Sequence, residues 1–146
     1  MQERHLYRQL RDLSRSGPEK LFGELEGEIM AVIWQHGSLT VRQVLERLRA
    51  ARSQQVAYTT VLTVMQRLAE KGLLDRTLVG NTHRYAAHQS RDEFMSESSD
   101  RIVRALVNDF GDVAIAQFLA ALERLDPERL ERLRELSRRG VPGDEP

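Results

Sequence analysis

The sequence predicts a mainly α fold with a small β wing: an N-terminal winged helix-turn-helix followed by a C-terminal helical dimerisation module. Three observations predict it. Over residues 57–68, apolar side chains recur at helical spacing, while the positions between them carry hydroxyls, an amide and a guanidinium. Two short strand-like segments then flank Val79-Gly80-Asn81. Beyond residue 90, three further helical patterns follow in about fifty residues, too little chain to bury their apolar stripes alone.

The length of 146 residues fits one domain or two small ones. Residues 1–20 are polar and basic, with apolar residues only at Leu6, Tyr7, Leu10 and Leu13. That spacing allows a short helix as far as Ser16-Gly17-Pro18, which breaks it. An arm, a dimer element and a tail all remain open for this segment. The first helix of the head is expected over residues 23–34. Glu24, Glu26 and Glu28 sit in its first turns, where the helix dipole favours acids. Leu25, Ile29, Val32 and Ile33 form its inner stripe, and His36-Gly37 ends it. Thr40-Val41-Arg42-Gln43 is a capping box, Thr at the N-cap and Gln at N3, opening a helix through Ala51. There Val41, Val44, Leu45 and Leu48 face inward, leaving Arg42, Arg47 and Arg49 nearer water. A third helix starts near Ala57, a weak N-cap residue, and runs to Lys71-Gly72. Val61, Val64, Met65 and Leu68 fall at i, i+3, i+4 and i+7. Thr59, Thr63 and Gln66 point away from that stripe, with Thr60 and Arg67 on its flank. Tyr58 lies at the stripe's edge, where it can pack on the core or meet a ligand. The strands, residues 73–78 and 82–87, bracket a turn whose Gly and Asn both tolerate positive φ.

Ser90-Arg91-Asp92-Glu93 is a second capping box, opening a helix with Ile102, Val103, Leu106, Val107 and Phe110 on its apolar side. Asp112 starts a second helix through Leu122. Asp126-Pro127-Glu128, an N-cap followed by Pro at N1, opens a third with Leu130, Leu133 and Leu136. Gly140-Val141-Pro142-Gly143 begins a frayed tail. The expected organisation is an arm or tail (1–20), a winged-helix DNA-binding domain (21–89), a helical dimerisation domain (90–139) and a tail (140–146). Pairing with a second copy would cover the exposed stripes. The expected seam is Ile102, Leu106, Phe110, Ile115, Phe118, Leu119, Leu122, Leu130 and Leu133.

A net charge of zero hides an asymmetry along the chain. Residues 38–91 carry nine Arg and Lys against three acids, about +6, whereas residues 92–146 carry thirteen acids against eight arginines, about −5. Evenly solvated faces would mix these charges. A basic segment that meets phosphates, joined to an acidic one that faces something else, accounts for the separation. The outward face of residues 57–71 carries no acid until Glu70, which suits a helix lying in the major groove. Threonine offers a hydroxyl to base edges or phosphates and a methyl to thymine, and arginine forks onto phosphate or guanine. The expected DNA-contacting residues are Arg42, Tyr58, Thr59, Thr60, Thr63, Gln66, Arg67, Thr82 and Arg84.

Other classes find little footing. Without a cysteine there is no thiolate metal site, disulfide or cysteine nucleophile. His5, His36, His83 and His88 lie in different segments without ligand spacing. There is no Gly-rich phosphate loop, nucleophile elbow or paired carboxylate motif, so no enzyme, catalytic residue, cofactor or metal is expected. No apolar run approaches the roughly 18 residues of a membrane span. The start of the chain has no apolar secretion core. A cytoplasmic protein without membrane insertion is the expectation.

The residues also carry a family likeness. Leu21-Phe22-Gly23-Glu24-Leu25-Glu26, Ile33-Trp34, Thr40-Val41-Arg42-Gln43-Val44 and Ala57-Tyr58-Thr59-Thr60-Val61-Leu62-Thr63-Val64 resemble the BlaI/MecI penicillinase-repressor family. Arg67-Leu68, Lys71-Gly72-Leu73-Leu74 and His83-Arg84-Tyr85 continue the pattern in the same order. The resemblance implies a bacterial repressor that binds a palindromic double-stranded operator as a homodimer and controls β-lactam-response genes in antibiotic resistance. It implies operator contacts from Thr59, Thr60, Thr63 and Arg67, with the wing around Asn81 to Arg84 on the adjacent backbone. It further implies a sensor-linked protease as partner, cutting in the C-terminal module. The cleavage region would align with residues 110–119, where the local residues differ from the pattern expected. Copper-responsive relatives carry a cysteine cluster, which this chain lacks. The alternatives are a winged-helix regulator gated by a small ligand, as in MarR-like proteins, and an interaction module without DNA affinity. An interaction module would carry acids or large hydrophobes on the outward face of residues 57–71.

Overall fold

The computed structural model describes residues 17, 19, 22–51 and 55–140. The expected arm, apart from Gly17 and Glu19, and the tail beyond Gly140 lie outside the described residues. Contacts divide the chain into two compact units, Met1–Arg91 and Asp92–Pro146.

In the first unit, three helices, α1 (Glu24–His36), α2 (Val41–Ala51) and α3 (Tyr58–Glu70), precede a hairpin of β1 (Leu74–Val79) and β2 (Thr82–Ala87). This is a winged helix. Glu24 and Glu26 occupy the first turn of α1. The helix buries Gly27, Ile29, Met30 and Ile33, so its inner face differs from the expected stripe. Leu25 and Val32 are only half-buried, and Met30 takes the interior place. The reason is tertiary: α1 packs against α2, α3 and β2 together, which buries a different arc from a single-sided stripe.

The start of α2 forms the capping box in full. The Thr40 N–H donates to Gln43 Oε1 at 2.9 Å, and the Gln43 N–H donates to Thr40 Oγ1 at 3.2 Å. Two amides that would otherwise lack helical partners are thereby satisfied. Val41, Val44, Leu45 and Leu48 are buried as expected. At the head of α3, Ala57 makes no side-chain cap. The helix is held instead by Val61, Met65 and Leu68, all fully buried, with Val64 half-buried.

The hairpin is antiparallel with Leu74 opposite Ala87 and Val79 opposite Thr82, leaving a two-residue turn at Gly80-Asn81. Gly80 has φ +62°, while no described non-glycine residue has positive φ. Only Gly80 therefore uses the left-handed region, at the first central position, as a type II′ turn requires. Leu39, in the α1–α2 connection, adds a bridge to the sheet: its N–H donates to Tyr85 O at 2.9 Å, and the Tyr85 N–H donates to Leu39 O at 2.8 Å. Tyr85 is itself buried, so the wing is sewn to the head rather than hanging from α3. Below the wing, Trp34 Nε1 donates to Gln89 O at 3.0 Å, tying the chain after β2 to α1.

The second unit continues through α4 (Arg91–Phe110), α5 (Asp112–Glu123) and α6 (Pro127–Arg139). Gly111, at φ +59° and ψ −136°, makes the one-residue break between α4 and α5, a conformation that glycine adopts readily because it has no Cβ. Asp126 caps α6 by accepting the Arg129 N–H at 2.9 Å, with Pro127 at the first helical position. Neither α5 nor α6 has a buried residue. Among the described residues, no helix is long and apolar enough to cross a membrane.

Candidate nucleic-acid interface

The periodicity of α3 separates its two faces. With Val61, Met65 and Leu68 locked in the core, Thr59, Thr60, Thr63, Gln66 and Arg67 are all exposed. Their side chains present hydroxyls, methyls, an amide and a guanidinium, the groups that read base edges and grip phosphates. Glu70 is the first carboxylate along the helix. Among the described residues Arg67 has no ion pair, so the i,i+3 bridge to Glu70 that an ordinary surface arginine would make is not formed. The Thr63 hydroxyl donates to Thr59 O at 2.8 Å, one turn back along the helix.

Two expected contact residues meet across the helix-turn-helix. Arg42, in the first turn of α2, holds its guanidinium 5.8 Å from the centre of the Tyr58 ring at the start of α3. Such a cation–π contact contributes about 0.5–1 kcal/mol at an exposed site, and Tyr58 is 41% exposed. The pair joins α2 to the start of α3. Arg49 Nη2 donates to Val56 O at 3.4 Å, steadying the approach to α3 from the other end of α2.

On the wing, Thr82 is exposed and Arg84 half-buried. Arg84 is engaged: its Nη2 donates to Ser38 O at 2.7 Å and its Nε to Ser38 Oγ at 3.3 Å. Together with the Leu39–Tyr85 bridge beside it, this fixes the wing against the α1–α2 connection. Ser38 could not be selected from local pattern, because its partner lies 46 positions away. His88, just after β2, is exposed and meets Asp75 at 3.0 Å from Nδ1.

Thus Thr59, Thr60, Thr63, Gln66 and Arg67 share one exposed helix face, Arg42 and Tyr58 sit together at its N-terminal end, and Thr82 and Arg84 lie on β2. Of the expected seam, Phe110, Ile115, Phe118, Leu119, Leu122 and Leu133 are exposed, and Ile102, Leu106 and Leu130 are half-buried. Leu106, Phe110, Ala114, Phe118 and Ala121 line an apolar groove of about 370 Å³ between α4 and α5.

Residues 22–139 match the family model described as penicillinase repressor. The transcriptional regulator BlaI of Mycobacterium tuberculosis, in two strains, is 37% identical over 114 residues, covering 77% of this chain and 79% of that protein. Among solved structures, the DNA-binding domain of the repressor BlaI is 29% identical, with a TM-score of 0.40 over 45% of this chain and 78% of that one.

Proposed function

Because the chain belongs to the penicillinase repressor family, a family of transcriptional repressors and not of enzymes, we propose that it represses transcription as a homodimer on a palindromic operator. Each head presents α3 to the major groove of one half-site, with α2 as its support. The wing, Asn81 to Arg84, lies along the neighbouring backbone. The observation that carries this reading is the outward face of α3, with five exposed polar or cationic side chains backed by three fully buried ones. A rigid inner face matters because ordering a loose helix on DNA would subtract from affinity. A protein-binding module would carry acids or large hydrophobes there instead.

The exposed apolar residues of α4, α5 and α6 support the dimer, since a second copy can cover them. The regulated genes are β-lactam-response genes, and the repressor acts in the cytoplasm. Release follows cleavage by a sensor-linked protease: a cut in the second unit, within residues 110–119, breaks the module that pairs the heads, and with it the gain from binding both half-sites at once.

The test is fluorescence anisotropy of the full chain on two labelled duplexes, one from the region upstream of its own coding sequence and one a shuffled version. The upstream duplex should bind roughly a hundredfold tighter or more, and both affinities should fall steeply with salt. Equal affinity for the two duplexes would overturn sequence-specific repression.

A further inference from the structure

Thr63 stands apart from the other two threonines of α3 in what its hydroxyl is doing. A threonine hydroxyl has one proton to donate and two lone pairs to offer. In Thr63 the proton points back along the helix, to Thr59 O at 2.8 Å. Among the described residues Thr59 and Thr60 make no such bond through their hydroxyls. What Thr63 presents to solvent is therefore a pair of lone pairs and a methyl group, on an exposed position at the middle of the outward face. Within this face its i+3 and i+4 neighbours are Gln66 and Arg67, and neither is bonded to it among the described residues.

We propose that Thr63 is a specificity-determining residue that reads the operator as a hydrogen-bond acceptor, taking its bond from the exocyclic amino group of an adenine or a cytosine. In the major groove these amino groups are the donors. Guanine N7 and O6, adenine N7 and thymine O4 are acceptors, which an outward-pointing hydroxyl proton would be needed to meet. A free hydroxyl rotates to suit either class, whereas one bonded to the preceding turn accepts as it stands and must give up that bond before it can donate. This inference rests on the DNA-binding reading above and adds to it the polarity of one contact.

The probe is the tightest-binding duplex recovered by the full-length wild-type chain from a randomised library. In it each adenine is replaced singly by purine, which lacks the amino group, and each cytosine by 2-pyrimidinone, likewise. Adenine and guanine are also replaced by their 7-deaza forms, which lack the N7 acceptor. Three proteins are compared: wild type, Thr63→Val, which exchanges the oxygen for a methyl at constant shape, and Thr63→Ser, which keeps the oxygen. At one position per half-site, removing the amino group should weaken wild type and Thr63→Ser about tenfold and leave Thr63→Val unaffected. Loss of the response to a 7-deaza base in Thr63→Val would overturn the proposal, by showing that the hydroxyl donates. So would a Thr63→Val profile identical to wild type at every amino group. If wild type enriches no duplex at all, it is the DNA-binding reading that fails, and this contact with it.

Discussion

Arg84 commits its Nη2 and Nε to Ser38 in the α1–α2 connection, whereas Arg67, on the open face of α3, has no carboxylate partner among the described residues. The two arginines should therefore fail differently when truncated. Arg67→Ala removes a cation that phosphate would otherwise neutralise, so the slope of log affinity against log salt should flatten by about 1. Its melting temperature should not move, because nothing in the fold leans on it. Arg84→Ala breaks a two-pronged bracket at a half-buried site. It should cost about 0.5–1.5 kcal/mol of stability, a drop of several degrees for a head of this size. Thermal melts beside salt titrations of both variants separate the roles. An Arg84→Ala protein that melts like wild type and flattens the salt slope as Arg67→Ala does would make Arg84 a plain phosphate contact.

The elements differ in how far local pattern reaches. In α2, the capping residues are three positions apart and the inward stripe is strictly periodic, so both its start and its buried face could be read from residues 40–51 alone. The outward face of α3 was legible for the same reason: the turn of a helix fixes which side chains oppose Val61, Met65 and Leu68. The inner face of α1 was less so, since Met30 and Gly27 are buried by three different neighbours that no helical wheel contains. The hairpin turn was legible in place but only half in detail, because Gly80 takes the left-handed conformation and Asn81 does not. What the sequence could not show are the ties across it: Leu39 to Tyr85, Ser38 to Arg84, and Arg42 to Tyr58. Each depends on tertiary proximity that carries no local signal. The caps supply a prediction at this scale. Thr40→Ala removes the reciprocal cap of α2 and should cost about 1 kcal/mol, lowering the melting temperature by about 4–8 °C. Ala57→Ser should act in the opposite direction, because Ala57 already has the extended backbone of an N-cap (φ −79°, ψ 147°) and lacks only the acceptor. Circular dichroism melts of the two proteins check this, and an unchanged melting point in Thr40→Ala would show that the box contributes nothing.

Across the whole molecule, charge and apolar surface are distributed unequally, and both distributions bear on the dimer. The acidic unit gains nothing from approaching phosphate, yet it exposes Phe110 and Leu119 at 58% and 57% along with Ile115 and Phe118. Helices this short, with no buried residue in α5 or α6, would acquire a core through the proposed pairing with another copy. Leu106 is the informative position. It is half-buried and lines the α4–α5 groove with Phe110 and Phe118, so it lies where the proposed seam closes. Leu106→Glu would place a carboxylate in that seam, and an unpaired charge taken from water costs far more than the leucine contributes. The variant should sediment as a monomer. Its affinity for a full palindromic site should fall roughly a hundredfold or more, because the second head no longer binds at the effective concentration that tethering provides. Its affinity for an isolated half-site should stay at the wild-type value, since α3 and the wing are untouched. Phe118→Glu, on the facing helix, should reproduce all three results. If both variants remain dimeric in sedimentation, the chain pairs through another surface. If they become monomeric yet hold the palindrome as tightly as before, the two heads do not cooperate through this module, and cleavage within it could not release the operator by loss of tethering.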